Sequence, residues 1–265
     1  MSSISVIDVI VLAGDRGPDD PLAVSAGVAG KTLVPVAGVA MLTRVLGTLS
    51  SWERLNRLIL VASTDSAYRQ AVTESALSAD RLLWVEPAAS LSDSVEKALQ
   101  AAGPGRPLIM ATADHPLLDP AWLESLLGSD ANADLCIGLA QWQSVMARFP
   151  GSRRTRYRFS DASVCGTNLF LFRDRRADDI LATWRRVEQE RKRPWRIISL
   201  LGWANLARFL AGRLSLDRAF KALSASVGVR VRPVLLADPL AAVDVDSLAD
   251  LALVEQVLAE RSQPC

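Results

Sequence analysis

One histidine, three cysteines and two tyrosines are all that this 265-residue chain holds of those residue types. With His115 the sole imidazole, Ser–His–Asp or Cys–His catalysis would have to run through it, and no serine or cysteine stands in a nucleophile-elbow setting. Both mechanisms are discounted, and His115 reads as a structural or pocket-lining residue. Cys136, Cys165 and Cys265 are scattered, odd in number and form no CxxC pair. That pattern fits reduced thiols in a cytoplasmic protein, not a disulfide frame or a zinc site. No run of eighteen apolar residues is free of charge, so a spanning helix is not expected. The opening MSSISVIDVIVLAGD lacks the basic start of a signal peptide. Net charge is also scarce, at +1 for 30 basic and 29 acidic residues, and half the chain is hydrophobic. Disorder and a wholly basic nucleic-acid module are excluded, and a sizeable core is affordable.

What charge there is, is unevenly placed. Residues 1–130 carry 9 Lys/Arg against 15 Asp/Glu, residues 131–237 carry 20 against 8, and residues 238–265 carry 1 against 6. A basic middle between acidic flanks points to an anionic partner, a solvated helical face being the plainer alternative.

Val6–Ala13 is an almost unbroken β-branched and apolar run ending at Gly14, as expected of a strand buried on both faces. Strands over Arg57–Ala62, Arg81–Val85, Pro107–Ala113 and Asp134–Ala140 alternate with helices over Val39–Leu49, Asp65–Leu77, Ser92–Ala102 and Pro120–Leu127. Short connections in this rhythm predict an α/β fold, a Rossmann-like, mostly parallel sheet with helices on both faces. A strand over Ser163–Arg173 follows, then helices over Asp178–Arg191, Trp195–Ala211 and Ser215–Val227, a strand over Arg230–Leu236 and a closing helix over Ser247–Glu260. The whole chain reads as a single domain, with residues 176–228 a helical, basic insertion or lid before the last strand.

Ligands of such sheets bind beyond the carboxyl ends of the strands. Three segments lie there. Leu12-Ala13-Gly14-Asp15-Arg16-Gly17 leads into a long loop ending at Lys31, where glycines admit phosphates to backbone N–H groups and lysine adds a mobile charge. Ala113-Asp114-His115-Pro116 offers a carboxylate suited to Mg²⁺, which takes one or two carboxylates and leaves the remaining positions to phosphate oxygens and water. Asp244 and Asp246 share one face of an extended segment, and Asp246 or Ser247 caps the final helix. Taken singly, each fragment is also explained as a loop glycine, a turn-capping Asp or a helix cap.

In order, the Leu-Ala-Gly loop, Lys31-Thr-Leu-Val-Pro-Val-Ala-Gly38, Ala113-Asp114-His-Pro116, Gly166-Thr-Asn168 and Asp244-Val-Asp246 resemble nucleotidyltransferases of the glycosyltransferase-A-like superfamily. These include MobA-like, methylerythritol-phosphate cytidylyltransferase-like and sugar-phosphate nucleotidylyltransferase enzymes. Lys31–Gly38 is the most specific piece, and Ser92-Asp93-Ser94-Val95 is similar to a nucleoside-contacting segment of the cytidylyltransferase branch. The likeness spans roughly residues 6–173 and 230–260.

The resemblance implies a fold of the nucleotide-diphospho-sugar transferase type and a Mg²⁺-dependent transfer of NMP from an NTP to a phosphorylated small-molecule acceptor, with release of pyrophosphate. Leu12, Ala13, Gly14, Asp15, Lys31, Asp93, Ser94 and Asp114 would bind the nucleotide, with Lys31 and Arg16 catalytic. Asp114 and Asp246, with Asp244 as the rival, would hold the metal, and Gly166 and Asn168 would face the acceptor. CTP is favoured by Asp93-Ser94-Val95 and GTP by the MobA-like loop. The chain departs from the family where Asp15 replaces a usual second glycine and where sixteen residues separate Gly14 from Lys31. A glycosyltransferase of the same fold, or a degenerate domain that binds a membrane or partner, are the alternatives.

In the basic insertion, arginines alternate with aromatics over Arg153–Phe159, and IISLLGWANLARFLAG carries an apolar stripe. Core or lid packing is the first reading of that stripe. A homodimer surface or an anionic membrane surface, which would make the protein peripheral at the membrane, are the others. Nucleic acid ranks last.

Overall fold

The structure, a computed structural model, describes residues 6–14, 19–105, 107–181, 183, 185 and 202–262. An eight-stranded sheet forms its centre, built from β1 (Ile7–Leu12), β4 (Leu55–Val61), β5 (Leu82–Val85), β6 (Leu108–Thr112), β7 (Leu135–Gln141), β8 (Tyr157–Arg158), β9 (Ser163–Phe172) and β10 (Val231–Leu236). The order is β10-β7-β9-β6-β1-β4-β5, with β8 pairing to β9. Every pairing along it is parallel except those of β9, which runs antiparallel to β6, β7 and β8.

All six residues of β1 are buried, and alternate side chains serve opposite faces. Val9 and Val11 join a core with α2 (Met41–Ser50), α3 (Ser66–Glu74), α5 (Pro120–Leu127) and α9 (Leu248–Ser262). Ile10 and Leu12 join another with α4 (Leu91–Ala102) and α8 (Leu216–Val227). Each fully buried aliphatic side chain contributes roughly 1.5–3 kcal/mol. The one acid in this strand, Asp8, accepts hydrogen bonds from Asn56 Nδ2 at 2.8 Å and Arg57 N at 3.2 Å and is ion-paired with Arg57.

Between β1 and α2 lie α1 (Pro21–Ala26), a 3-10 turn Lys31–Leu33 and a hairpin of β2 (Pro35–Val36) with β3 (Val39–Ala40). The expected helix start at Val39 is corrected to Met41, because Ala37 (φ 47°) and Gly38 (φ 78°) form a left-handed two-residue turn that makes Val39–Ala40 a strand. Arg44 of α2 donates to Val36 O from Nε (2.9 Å) and Nη2 (2.7 Å) and ties the hairpin down.

Also unforeseen in the sequence are α1, α6 (Trp142–Arg148) and β8. The helix expected over Asp178–Arg191 is seen in part, as a 3-10 turn Arg175–Asp179 leading into helix at Ile180. Of the one expected over Trp195–Ala211, the described portion is α7 (Trp203–Leu210). Among the described residues no helix is long and apolar enough to cross a membrane.

Candidate active site

Three chain segments meet at the carboxyl edge of the sheet. Ala13 N donates to Val61 O (2.8 Å) and Ala113 N to Leu12 O (2.9 Å), so the ends of β1, β4 and β6 are level. The loop after β6 then carries Asp114, whose carbonyl accepts from Val245 N at 2.9 Å. Val243 and Val245 are fully buried, so alternation turns Asp244 and Asp246 to the opposite side, facing the edge. Ser247 caps α9: its Oγ accepts from Asp250 N (3.2 Å), while the Asp250 carboxylate accepts from Ser247 Oγ (2.6 Å) and Asp246 N (3.3 Å).

Lys31 enters from the 3-10 turn with only 5% of its surface exposed. Its ammonium lies 2.7 Å from Asp114 Oδ2 and 2.5 Å from Asp246 Oδ1. Burial works to lower the lysine pKa, but the two carboxylates outweigh it, and the net shift is upward. Lys31 is therefore a fixed cation. Asp244 is occupied differently: Oδ1 is paired with Arg154 Nη1, and Oδ2 accepts from Asn168 Nδ2 at 3.0 Å. Burial, reinforced by the charge of Asp114, pushes Asp244 up to about 6 against the pull of Arg154.

A cavity of about 800 Å³ opens on this cluster. Its walls include Leu12, Gly14, Lys31, Asp114, Asn168, Asp244 and Asp246 together with Pro87–Leu91 and Ser94. Asp114 Oδ1, Thr32 Oγ1 and Thr112 Oγ1 are buried without a hydrogen-bond partner among the described residues, and all three residues line the cavity. The orphaned Asp114 oxygen is what a cation beside Asp246 would use. Among the described residues no three His, Cys, Asp or Glu side chains form a metal cage. A cation shared with a triphosphate needs no more than two carboxylates.

Most residues singled out in the sequence thus gather in one place. Ala13 is buried beneath the cavity, not in its wall. The Ser94 hydroxyl accepts from Ala88 N (2.9 Å) and donates to Ser90 O (2.8 Å), so it fastens the 88–90 loop and is already engaged. Asp93 does not line the cavity; it is half-buried and paired with Arg185 at 3.0 Å. Gly166 is exposed on β9 outside the cavity wall, while its neighbour Asn168, at φ 55°, reaches in. Asp15 and Arg16 lie outside the described residues. His115 is buried against Trp122, ring centroids 5.2 Å apart, and burial depresses its pKa to about 4, so it is a neutral core residue.

The sequence reading missed Arg154, Thr32, Thr112 and the Pro87–Leu91 wall. The last was findable, since the loop follows the carboxyl end of β5 and Ser90 caps α4. Nothing in the spacing of Arg154 marked it out from the exposed arginines around it.

Comparison with known proteins agrees with this geometry. Residues 9–201 match the family model of the MobA-like NTP transferase domain. A solved structure described as a hypothetical transferase from Thermus thermophilus is 29% identical, with a TM-score of 0.77 over 93% of this chain and 99% of that one. The 4-diphosphocytidyl-2C-methyl-D-erythritol synthase of Anaerococcus prevotii is 12% identical, with a TM-score of 0.59 and 96% of each chain covered. A CMP:2-keto-3-deoxy-manno-octonic acid synthetase complexed with CTP is 15% identical, with a TM-score of 0.59 over 97% of this chain and 99% of that one. At such identities the last two establish likeness of fold. Among curated proteins no sequence matches.

Proposed function

The chain belongs to the MobA-like NTP transferase family, and from that premise we propose that it is a Mg²⁺-dependent nucleotidyltransferase moving NMP from CTP or GTP to a phosphorylated small molecule. The observation that carries this reading is the Lys31–Asp114–Asp246 cluster at the floor of the cavity. An oxygen of the acceptor phosphate forms a bond to the α-phosphorus, the bond to the bridging oxygen of the β-phosphate breaks, and pyrophosphate leaves with that electron pair. Little covalent work falls to the protein, so positioning and charge neutralisation supply the rate.

Asp114 and Asp246 are the residues that would hold Mg²⁺, which when bound offsets phosphate charge and orients the triphosphate. Lys31, protonated throughout, places its charge where the phosphates and the carboxylates meet. Gly14 lines the cavity without a side chain, and a Cβ there would meet Pro87 of the Pro87–Leu91 wall at 3.8 Å. Asn168 and Asp244 line the same cavity beside the cluster, and we assign them to the acceptor. The neighbour complexed with CTP favours a cytidine donor, and the resemblance of the loop after β1 to MobA-like enzymes favours guanosine.

Thermal shifts with ATP, GTP, CTP and UTP, with and without Mg²⁺, test the reading in wild type and Asp114→Asn. A ligand at a hundred times its dissociation constant adds about 2.7 kcal/mol, a shift of several degrees for a domain of this size. The expected result is a selective, Mg²⁺-dependent shift lost in the variant, followed by pyrophosphate release once acceptors are screened. Equal shifts in both proteins, or none with any nucleotide, would overturn it.

A further inference from the structure

Three carboxylates, Asp114, Asp244 and Asp246, reach one cavity that Lys31 supplies with a single ammonium. A second cation, Arg154 from the loop before β8, reaches the same group of acids with 7% of its side chain exposed. Its fork takes two carboxylates at once: Nη1 pairs with Asp244 Oδ1, and Nη2 donates to Asp250 Oδ1 at 2.6 Å. Nε donates to Ser152 Oγ at 2.9 Å, which fixes the plane of the guanidinium.

The consequences for the two neighbouring acids are opposite. Arg154 and Asn168 together take both oxygens of Asp244. Through Asp250, which accepts from Asp246 N and holds Ser247, the same guanidinium secures the backbone that presents Asp246 to Lys31. We propose that Arg154 is a positioning residue that withholds Asp244 from the cation-binding set and fixes Asp246 in it. The inference rests on the reading of Asp114 and Asp246 as cation ligands. It adds the residue that decides between the two acids of the Asp244-Val245-Asp246 segment and that ties the loop before β8 to the start of α9. Lysine would not replace it, because a single ammonium lacks the two-pronged geometry that spans both carboxylates.

Mn²⁺ binding by the nucleotide-free protein, followed by electron paramagnetic resonance of the free ion, is the test. In the natural background, Asp246→Asn is expected to weaken Mn²⁺ at least tenfold and Asp244→Asn no more than about twofold. In Arg154→Gln, where Asp244 is released, Asp244→Asn is expected to weaken Mn²⁺ at least fivefold. Arg154→Lys carries the same cycle should the glutamine variant fail to fold, with a smaller but present coupling.

A purely structural arginine would lower the melting temperature and leave the effect of Asp244→Asn identical in both backgrounds, which overturns the proposal. So does an Asp244→Asn loss equal to that of Asp246→Asn in the natural protein, or a wild type that binds no Mn²⁺ at millimolar concentration. Because no nucleotide is present, the cycle is read separately from turnover. A protein that gives the expected Mn²⁺ pattern but no shift with any NTP would refute the transfer reading alone.

Discussion

Lys31 is nearly sealed from water, yet its pKa is raised, because two carboxylates within 2.7 Å stabilise the ammonium more than burial penalises it. Its charge is therefore retained at neutral pH, and its contribution to rate is electrostatic. Lys31→Met is expected to lower turnover by about two to three orders of magnitude, the usual cost of removing one preorganised charge from a transition state. Pyrophosphate release at saturating nucleotide checks this, with circular dichroism to show that the fold remains. A loss below tenfold would place the phosphates elsewhere. That this lysine belongs to the cavity was legible before the structure, because it sits in the most specific stretch of the sequence. What spacing could not convey is that Asp114 and Asp246, 83 and 215 residues away, converge on the same nitrogen.

At the scale of elements, the parallel half of the sheet was legible because its strands are continuous apolar runs between turn signals. β9 was found as a strand, but its direction was not, since the pattern of a strand carries no sign of which way a neighbour runs. Its junction with β7 is tight: a Cβ at Gly138 would sit 2.5 Å from Thr167 Oγ1, and the pairing register shifts between Ile137 and Leu139. Short elements such as α6 and the β2–β3 hairpin were missed because two to seven residues give too few periods to recognise.

One acid holds the start of this region together. Asp134, 2% exposed, accepts from Arg230 N (2.8 Å), Arg230 Nη2 (2.8 Å) and Arg176 Nη2 (3.2 Å), and so joins β7 to the start of β10 and to the segment after β9. The Arg230 hydrogen bonds hold its pKa below the ordinary value of 3.8, against the effect of burial. A depressed carboxylate contributes stability that is present above the unfolded pKa and lost as pH falls through the folded one. Asp134→Asn is accordingly expected to cost about 2 kcal/mol at pH 7, the low side of charge-assisted bonding because both arginines are themselves solvated. Urea unfolding should show that gap steady from pH 8 to 5 and narrowing below about pH 4. A gap constant down to pH 3 would mean that the carboxylate's charge is irrelevant to the junction.

Over the whole molecule, the uneven charge of the sequence has an internal partner. Arginines of the basic middle pair with the acidic flanks: Arg185 with Asp93 and Glu96, and Arg232 with Asp130, on the N-terminal side. On the C-terminal side, Arg148 pairs with Glu260, and Arg154 with Asp244 and Asp250. The sequence reading took such a field to point to an anionic partner, with a solvated helical face as the alternative, and could not see that the chain folds its own flanks onto it. Most of these pairs are half-exposed, so each adds little on its own and is weakened by salt. Raising NaCl from 20 to 300 mM is expected to lower overall stability by about 1 kcal/mol, or roughly 2–4 °C in melting temperature. Differential scanning fluorimetry in buffers of fixed pH measures this directly. A melting temperature that climbs with salt would mean that repulsion among the arginines outweighs their pairing, and an anionic partner would again be the better explanation of the basic middle.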